Sequence, residues 1–338
     1  MLGASGWLPG HERAEPRLVR PPSLQQSGRG HVWLLPPLLV GRGAGGRVGP
    51  RPLRRSPTHR RRPDALVNRE SALELRMTQR YDGQVALITG ASTGIGRAYA
   101  RAFAARGANL IVVARSADKL EVVANEARER NSVRADVIAH DLSVPGSGSA
   151  LLDKVADLGH DVDILVNNAG FGTYGSFADI NPARLDAEIQ LNCGSLVDLS
   201  RGVLPGMITR RQGAIVNVAS TAAFQPIPTM AVYGATKAFV LSFSVALAEE
   251  VRASGVRVLA ICPGATETPF FDVAGARDTR MTMSMRTVDD VIATTFRGLE
   301  AGSSSAVDGL LNAISAYGAR MAPIGIAAKI AGMVVGRR

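Results

Sequence analysis

Tyr233 and Lys237 stand four residues apart in "YGATK", inside the apolar run "MAVYGATKAFVLSFSVALAEE". Residues i and i+4 share a helix face, so a phenol and an ammonium can point into one cleft. A free phenol titrates near ~10, and moving it to ~7 takes roughly 4 kcal/mol. A unit charge at ~4 Å in an effective dielectric of ~20 supplies about that much. The pair is therefore expected to make Tyr233 an acid/base working near neutral pH. Lysine is not this chain's habit: only four of its 39 cationic residues are lysines. Arginine's rigid fork suits carboxylates and phosphates, whereas lysine is a compact point charge with three donors.

A second constellation lies upstream. The run "TGASTGIG" contributes Thr89, Gly90, Ser92, Gly94, Ile95 and Gly96. Small residues between a strand and a helix let backbone approach a pyrophosphate, and the helix N-terminus supplies free N–H groups and partial positive charge. A tight turn alone would share this composition, but the position after the first predicted strand favours a dinucleotide. The second predicted strand ends in Arg115. An acidic residue there would bind a ribose 2′-hydroxyl, whereas an arginine suits a 2′-phosphate. NADP is thus expected over NAD, with Arg97 assisting; a solvated loop cation is the other reading of Arg115.

Regular elements must position these residues. "QVALIT", "NLIVVAR", "RADVIAHDL", "VDILVNNAG", "GAIVNVAS" and "VRVLAICPG" read as six strands. Helical stretches alternate with them. Ser116 is a plausible cap for one, Pro182 suits the first turn of a long one, and Thr287 with Asp290 forms a capping-box pattern for another. Apolar strands alternating with helices predict an α/β fold, a doubly wound parallel sheet covered on both faces. It should run as a single Rossmann-like domain from about Gln84 to Gly302, within a catalytic region 77–305, followed by a C-terminal helical extension at 306–338.

Together, "TGASTGIG", "NNAG" at Asn167–Gly170, Asn192, Ser220 thirteen residues before Tyr233, "YGATK" and "PGATET" from Pro263 resemble the short-chain dehydrogenase/reductase family, single-domain branch. The likeness covers about residues 83 to 300. It implies hydride exchange between a nicotinamide cofactor and a small-molecule carbonyl/alcohol pair. It also implies that Tyr233 is the acid/base, Ser220 orients the substrate oxygen, Lys237 tunes the tyrosine and holds the nicotinamide ribose, and Asn192 holds a relay water. By position, Asp141 and Leu142 would flank the adenine, and Asn168, Ala169 and Gly170 would pass beside the cofactor. Pro263 and Gly264 would cover the nicotinamide, with Thr266 and Thr268 near its carboxamide. A cofactor-sensing binding protein on the same fold is the rival, but it would be expected to lose the tyrosine or the lysine. A scaffold attached to a membrane is a further one.

The net charge of +10 and pI of about 10.4 would suggest a nucleic-acid partner. Residues 1–76, however, hold about 14 arginines against about five acidic residues, so the rest is near neutral and that partner is excluded for the main body. This Arg/Pro/Gly-rich leader is expected to be disordered. A transit peptide would account for it, as would an over-extended reading frame with translation starting at Met77, the favoured reading. Two cysteines, Cys193 and Cys262, fit a reducing cytoplasm rather than a disulfide framework. The stretch 270–286, with Phe270, Phe271, Met281, Met283 and Met285, suits a lid over an apolar substrate, although ordinary loop packing would use the same residues. The tail from Leu310 is apolar with sparse cations, broken at Pro323 and Gly325. It could lie on an anionic membrane, cap the pocket or pair two subunits. A homo-oligomer is expected.

Overall fold

Alternation within a five-residue strand decides the architecture. In β1 (Val85–Thr89), Ala86 and Ile88 join one apolar cluster, while Val85 and Leu87 join another. Successive side chains leave a strand on opposite faces, so both faces are covered. The structure, a computed structural model, describes residues 81–279 and 285–336, all within the unit Arg62–Arg338. The leader 1–76 and the lid residues Met281 and Met283 lie outside the described residues.

The other strands are β2 (Asn109–Ala114), β3 (Ala135–Ala139), β4 (Ile164–Asn167), β5 (Gly213–Val218), β6 (Val256–Cys262) and β7 (Ser305–Val307). Every pairing is parallel, and the order is β3-β2-β1-β4-β5-β6-β7. The order reverses between β1 and β4, the crevice where open α/β sheets bind ligands. The doubly wound prediction holds. β7 lies past the last predicted strand; three residues of "SAV" carry too little pattern to be read alone.

On one face, α1 (Gly94–Ala104), α2 (Ala117–Asn131) and α8 (Val288–Glu300) bury Tyr99, Phe103, Leu120 and Phe296. On the other, α3 (Ser147–Asp157), α5 (Ser195–Arg210) and α6 (Ala231–Glu250) bury Leu151, Leu199, Met207 and Leu247. α3 was not expected, because its "SGS" start resembles a loop. α4 (Pro182–Ile189) begins as expected, with Asn181 Oδ1 accepting from the Ala183 amide at 2.9 Å. The predicted long helix does continue from α4 into α5, but through a π-helical turn, Gln190–Gly194, that contains Asn192. Ser116 occupies its N-cap position without making the side-chain bond. The Thr287–Asp290 capping box is formed in both directions. Among the described residues α6 alone is long and apolar enough to cross a bilayer, yet it packs on β5 and β6 and buries eight of its residues.

Short α7 (Phe270–Ala274) and the two tail helices, α9 (Leu310–Met321) and α10 (Ile324–Val335), complete the fold, and the break at Pro323 is as predicted. Arg286 ties these parts together. Its backbone pairs with the Ala265–Glu267 segment, and its guanidinium donates to the fully buried Asp308 at 2.6 and 3.2 Å. Losing one partner of a fully buried ion pair costs about 3–5 kcal/mol, but Arg286 is partly exposed and Thr294 Oγ1 also donates to Asp308 at 2.8 Å. Arg286→Ala should therefore lower stability by less, ~1–2 kcal/mol, read as a fall in the urea midpoint. An unchanged midpoint would mean that Asp308 is solvated.

Candidate active site

The sheet's carboxyl edge opens into a cleft of about 1050 Å³. Its floor is set at the switch point. The Thr89 hydroxyl donates to Val166 O at 3.2 Å and accepts from the Asn168 and Ala169 amides, each at 3.0 Å. The Asn168 side chain donates back to Thr89 O and Gly90 O. Gly90 has φ +66°, and a Cβ there would lie 2.7 Å from Asn168 Nδ2. At Gly96 a Cβ would lie 2.2 Å from Gly90 O, so α1 can start this close to β1 only with glycine. Thr93, the N-cap of α1, makes no side-chain cap, which leaves the first-turn N–H groups available. This cradle fits a pyrophosphate.

Seventeen of the predicted residues line the cleft: Gly90, Ser92, Gly94, Ile95, Arg115, Asp141, Leu142, Asn168, Ala169, Gly170, Ser220, Tyr233, Lys237, Pro263, Gly264, Thr266 and Thr268. Thr89, Gly96 and Asn192 do not reach its wall; they support it from beneath. Arg97 is a correction. It does not face the cleft but pairs with Glu126 of α2 at 2.5 Å. Lys119, unremarked in the sequence reading, joins Arg115 along the cleft instead. Asp141 accepts from Ser143 N and Oγ at 2.9 and 2.7 Å. Slight burial raises its pKa, but these bonds, Arg115 and His140 outweigh that and hold it below the usual carboxylate value.

Tyr233 and Lys237 share the buried face of α6 as their spacing predicts. Lys237 Nζ donates to Val218 O at 2.7 Å and lies 5.8 Å from the centre of the Tyr233 ring. Burial pulls its pKa down to about 8, against opposing contributions from Cys193, Cys262 and Glu188. Burial also pushes the Tyr233 phenol up to about 12, with the Ser220 hydroxyl lowering it and Glu188 raising it. The expected neutral-range phenol is therefore corrected: desolvation wins, and the ammonium donates to the Val218 carbonyl. Ser220 lies just past β5, its Oγ accepting from the Ala222 amide at 3.1 Å.

Asn192 is engaged on both sides. Its Oδ1 accepts from Phe171 N at 3.2 Å, and its Nδ2 donates to Phe171 O at 2.9 Å and Thr236 Oγ1 at 3.0 Å. This pins the loop after β4 to α6. In the π-turn around it, Ser195 N donates to Gln190 O, five residues back. Such a widening frees a carbonyl and often marks a functional position.

Three features escaped the sequence reading. Asn167 and Asn217 join at 2.9 Å and reach Ser200 and Ser244, a buried network that binds β4 and β5 to α5 and α6. Glu188 is fully buried, and neither of its oxygens meets a donor in hydrogen-bonding geometry among the described residues. Burial raises its pKa, offset in part by the Thr173 hydroxyl, Arg184 and Lys237. Finally, Asn312 of α9 covers Gly264, where a Cβ would lie 2.4 Å from Asn312 Nδ2. The other side of the cleft is mostly apolar: Phe171, Ile227, Met230, Phe270, Phe271 and Val335 line it, with Gln225 and the Arg184 guanidinium, which lies over the Phe171 ring at 4.9 Å. The Phe270 ring is 5.2 Å from that of Tyr233. Met285 is exposed and does not line the cleft.

Known proteins are similar to this chain in sequence and fold. The family described as short chain dehydrogenase matches residues 84–279. An oxidoreductase of Staphylococcus epidermidis is 34% identical over 186 residues, covering 55% of this chain and 79% of its own. A solved short-chain dehydrogenase from Sphingobium yanoikuyae, in complex with NADPH, is 34% identical with a TM-score of 0.65, covering 70% of this chain and 94% of its own. A bulky-bulky ketone specific alcohol dehydrogenase from Comamonas testosteroni is 32% identical with a TM-score of 0.60, covering 68% and 88%.

The glycine turn offers a direct test. Gly96→Ala forces the turn to open and should weaken dinucleotide binding, followed by nucleotide fluorescence, by about tenfold or more, since overpacking costs ~1–3 kcal/mol. Wild-type affinity in this variant would remove the turn from the binding site.

Proposed function

This chain belongs to the short-chain dehydrogenase family, and from that footing we propose that it is an NADP(H)-dependent reductase of apolar ketones or aldehydes, with Tyr233 as the proton donor. As a member it is an oxidoreductase that exchanges a hydride between NAD(P) and a carbonyl/alcohol pair. The observation that carries the finer reading is a buried phenol between a nucleotide cradle and an apolar wall, where desolvation favours its protonated form.

The cradle residues from Gly90 to Gly96 would hold the pyrophosphate, with Asp141 and Leu142 at the adenine, and Asn168, Ala169 and Gly170 along the cofactor. Pro263, Gly264, Thr266 and Thr268 would cover the nicotinamide, which when bound supplies or takes the hydride. Arg115 and Lys119, two cations at the end of β2 and the start of α2, favour a 2′-phosphate over a bare hydroxyl. The NADPH seen with the Sphingobium relative agrees with this preference.

Tyr233 keeps its proton through neutral pH because burial holds its pKa at about 12. A carbonyl gaining a hydride becomes an alkoxide, a far stronger base than the phenolate, so proton transfer from Tyr233 runs downhill. Ser220 Oγ already accepts from Ala222 N and meets Pro263 O at a long 3.4 Å, so its hydrogen can turn to the substrate oxygen and steady the developing charge. Lys237 spends one donor on Val218 O and keeps two for ribose hydroxyls. Asn192 shapes the π-turn whose freed carbonyl would hold the relay water. The phenyl and aliphatic wall suits a bulky apolar substrate, and the ketone-specific Comamonas relative points the same way.

Tyr233→Phe should lower reductive kcat/KM by about 10²–10⁴-fold while leaving NADPH affinity intact. Near-wild-type turnover over a panel of aldehydes and ketones would overturn the assignment. Arg115→Glu should shift preference from NADPH toward NADH by about 10- to 100-fold, the worth of one charged hydrogen bond, as read from the two kcat/KM values. With Lys237 near 8 and Tyr233 near 12, the reductive kcat/KM should be level below about pH 8. It should fall above that as the ammonium is lost. Lys237→Arg, weaker but permanently charged, should lack this limb; a limb that persists would belong to another group.

A further inference from the structure

The tail helices carry two different faces. Inward, Asn312, Ser315 and Ala316 of α9 and Val334 and Val335 of α10 line the cleft. Outward, Leu311, Ile314 and Met321 of α9 and Ile324, Ile330 and Met333 of α10 stand in solvent, Met321 at 88% and Leu311 at 82% exposure. A cluster of large apolar side chains this exposed marks a surface that meets something. The tail is also held to the body. The Arg320 guanidinium sits over the Phe224 ring at 4.9 Å, and the Tyr317 ring packs on Phe224 edge-on at 5.5 Å.

Charge selects the occupant. After Asp308 the sequence has no acidic residue to set against Arg320, Lys329, Arg337 and Arg338; Arg320 is turned to Phe224, and Lys329 is exposed beside the apolar stripe. Two copies joined through this face would bring like charges together without an acid to answer them. An anionic lipid surface offers both the apolar layer and the counter-charge. α10 has 12 residues, ~18 Å long against a hydrocarbon layer of ~30 Å, so it can lie in the interface but not cross it. Val334 is 53% exposed and also lines the cleft, and Val273 of α7 shares both properties. The rim of the cleft is therefore continuous with the exposed apolar face.

We propose that the outer face of α9 and α10 docks on an anionic lipid bilayer, so that an apolar ketone or aldehyde dissolved in the bilayer reaches Tyr233 over the valine rim. The docking stands on the exposed face and its charge; the substrate route rests on the reductase reading above.

The test uses the full chain and flotation with vesicles of phosphatidylcholine, alone and mixed with phosphatidylglycerol. The chain should float with the mixed vesicles and much less with phosphatidylcholine alone. Molar salt should weaken it. The double variant Leu311→Glu/Ile330→Glu removes two apolar contacts outside the cleft, and its bound fraction should fall about tenfold or more. Its light-scattering mass and its turnover of a water-soluble ketone should stay at wild-type values. Turnover of a long-chain ketone carried in the mixed vesicles should fall with the bound fraction. No flotation of the wild type, or equal flotation of the variant, would overturn the docking. A variant with reduced light-scattering mass would make the face a subunit interface instead. Equal turnover of the vesicle-borne ketone by both proteins would overturn the lipid route. Flotation without turnover of any ketone would leave the docking standing and sink the reductase reading.

Discussion

One hydroxyl carries an unusual share of this fold. A parallel sheet with helices on both faces has no natural opening, because neighbouring strands want to continue their ladder. At the switch point β1 and β4 must part, and their last peptide groups lose their ladder partners inside a protein interior, where an unpaired buried peptide group costs ~1–3 kcal/mol. Thr89 answers that need by bonding Val166 O and the amides of Asn168 and Ala169. Asn168 returns two bonds to the Thr89 and Gly90 carbonyls. The crevice is held open by protein groups, and the glycine turn is then packed against a fixed wall. Neither Thr89 nor Gly96 has to touch a ligand to matter.

The same logic governs the acid/base pair. Burial acts on Tyr233 and Lys237 in opposite directions, raising one pKa to about 12 and lowering the other to about 8, because in each case the neutral form is the cheaper one to bury. A Coulomb argument from sequence spacing alone predicts the reverse for the tyrosine. It omits desolvation, and it leaves out that the Val218 carbonyl takes one of the ammonium's three donors. A neutral phenol is nonetheless the form a carbonyl reduction needs, whereas alcohol oxidation would need the phenolate.

How much of this was legible follows from what each feature depends on. The strand sequence, the glycine turn and the α6 face rest on local pattern, and "VALIT", "TGASTGIG" and "YGATK" carry it in a few residues. The capping box at Thr287 was equally local. Features made by residues far apart were not legible. Asn167 and Asn217 meet across two strands, fifty positions apart; Asn167 opens "NNAG", but nothing local points to Asn217 as its partner. Glu188 sits on a helix whose other residues are largely exposed, so its complete burial could not be read from helical spacing. Arg97 misled because adjacency to the turn says nothing of direction; the helix aims it at Glu126 instead. The π-turn at Asn192 has no residue signature of its own.

The tail shows why an apolar C-terminus resists a single reading. Its amino acids are compatible with covering a pocket, joining a partner or meeting lipid, and composition cannot divide a helix into faces that do different work. The fold does divide it. Asn312 rests on Gly264, so α9 is fixed to the loop that closes β6, and Gly264 has no room for a side chain because that contact exists. Once α9 is seated there and α10 follows after Pro323, one side of each helix must look into the cleft and the opposite side cannot. The exposed stripe is then a consequence of placing the cap, and any partner it finds is positioned at the rim over which an apolar substrate would pass.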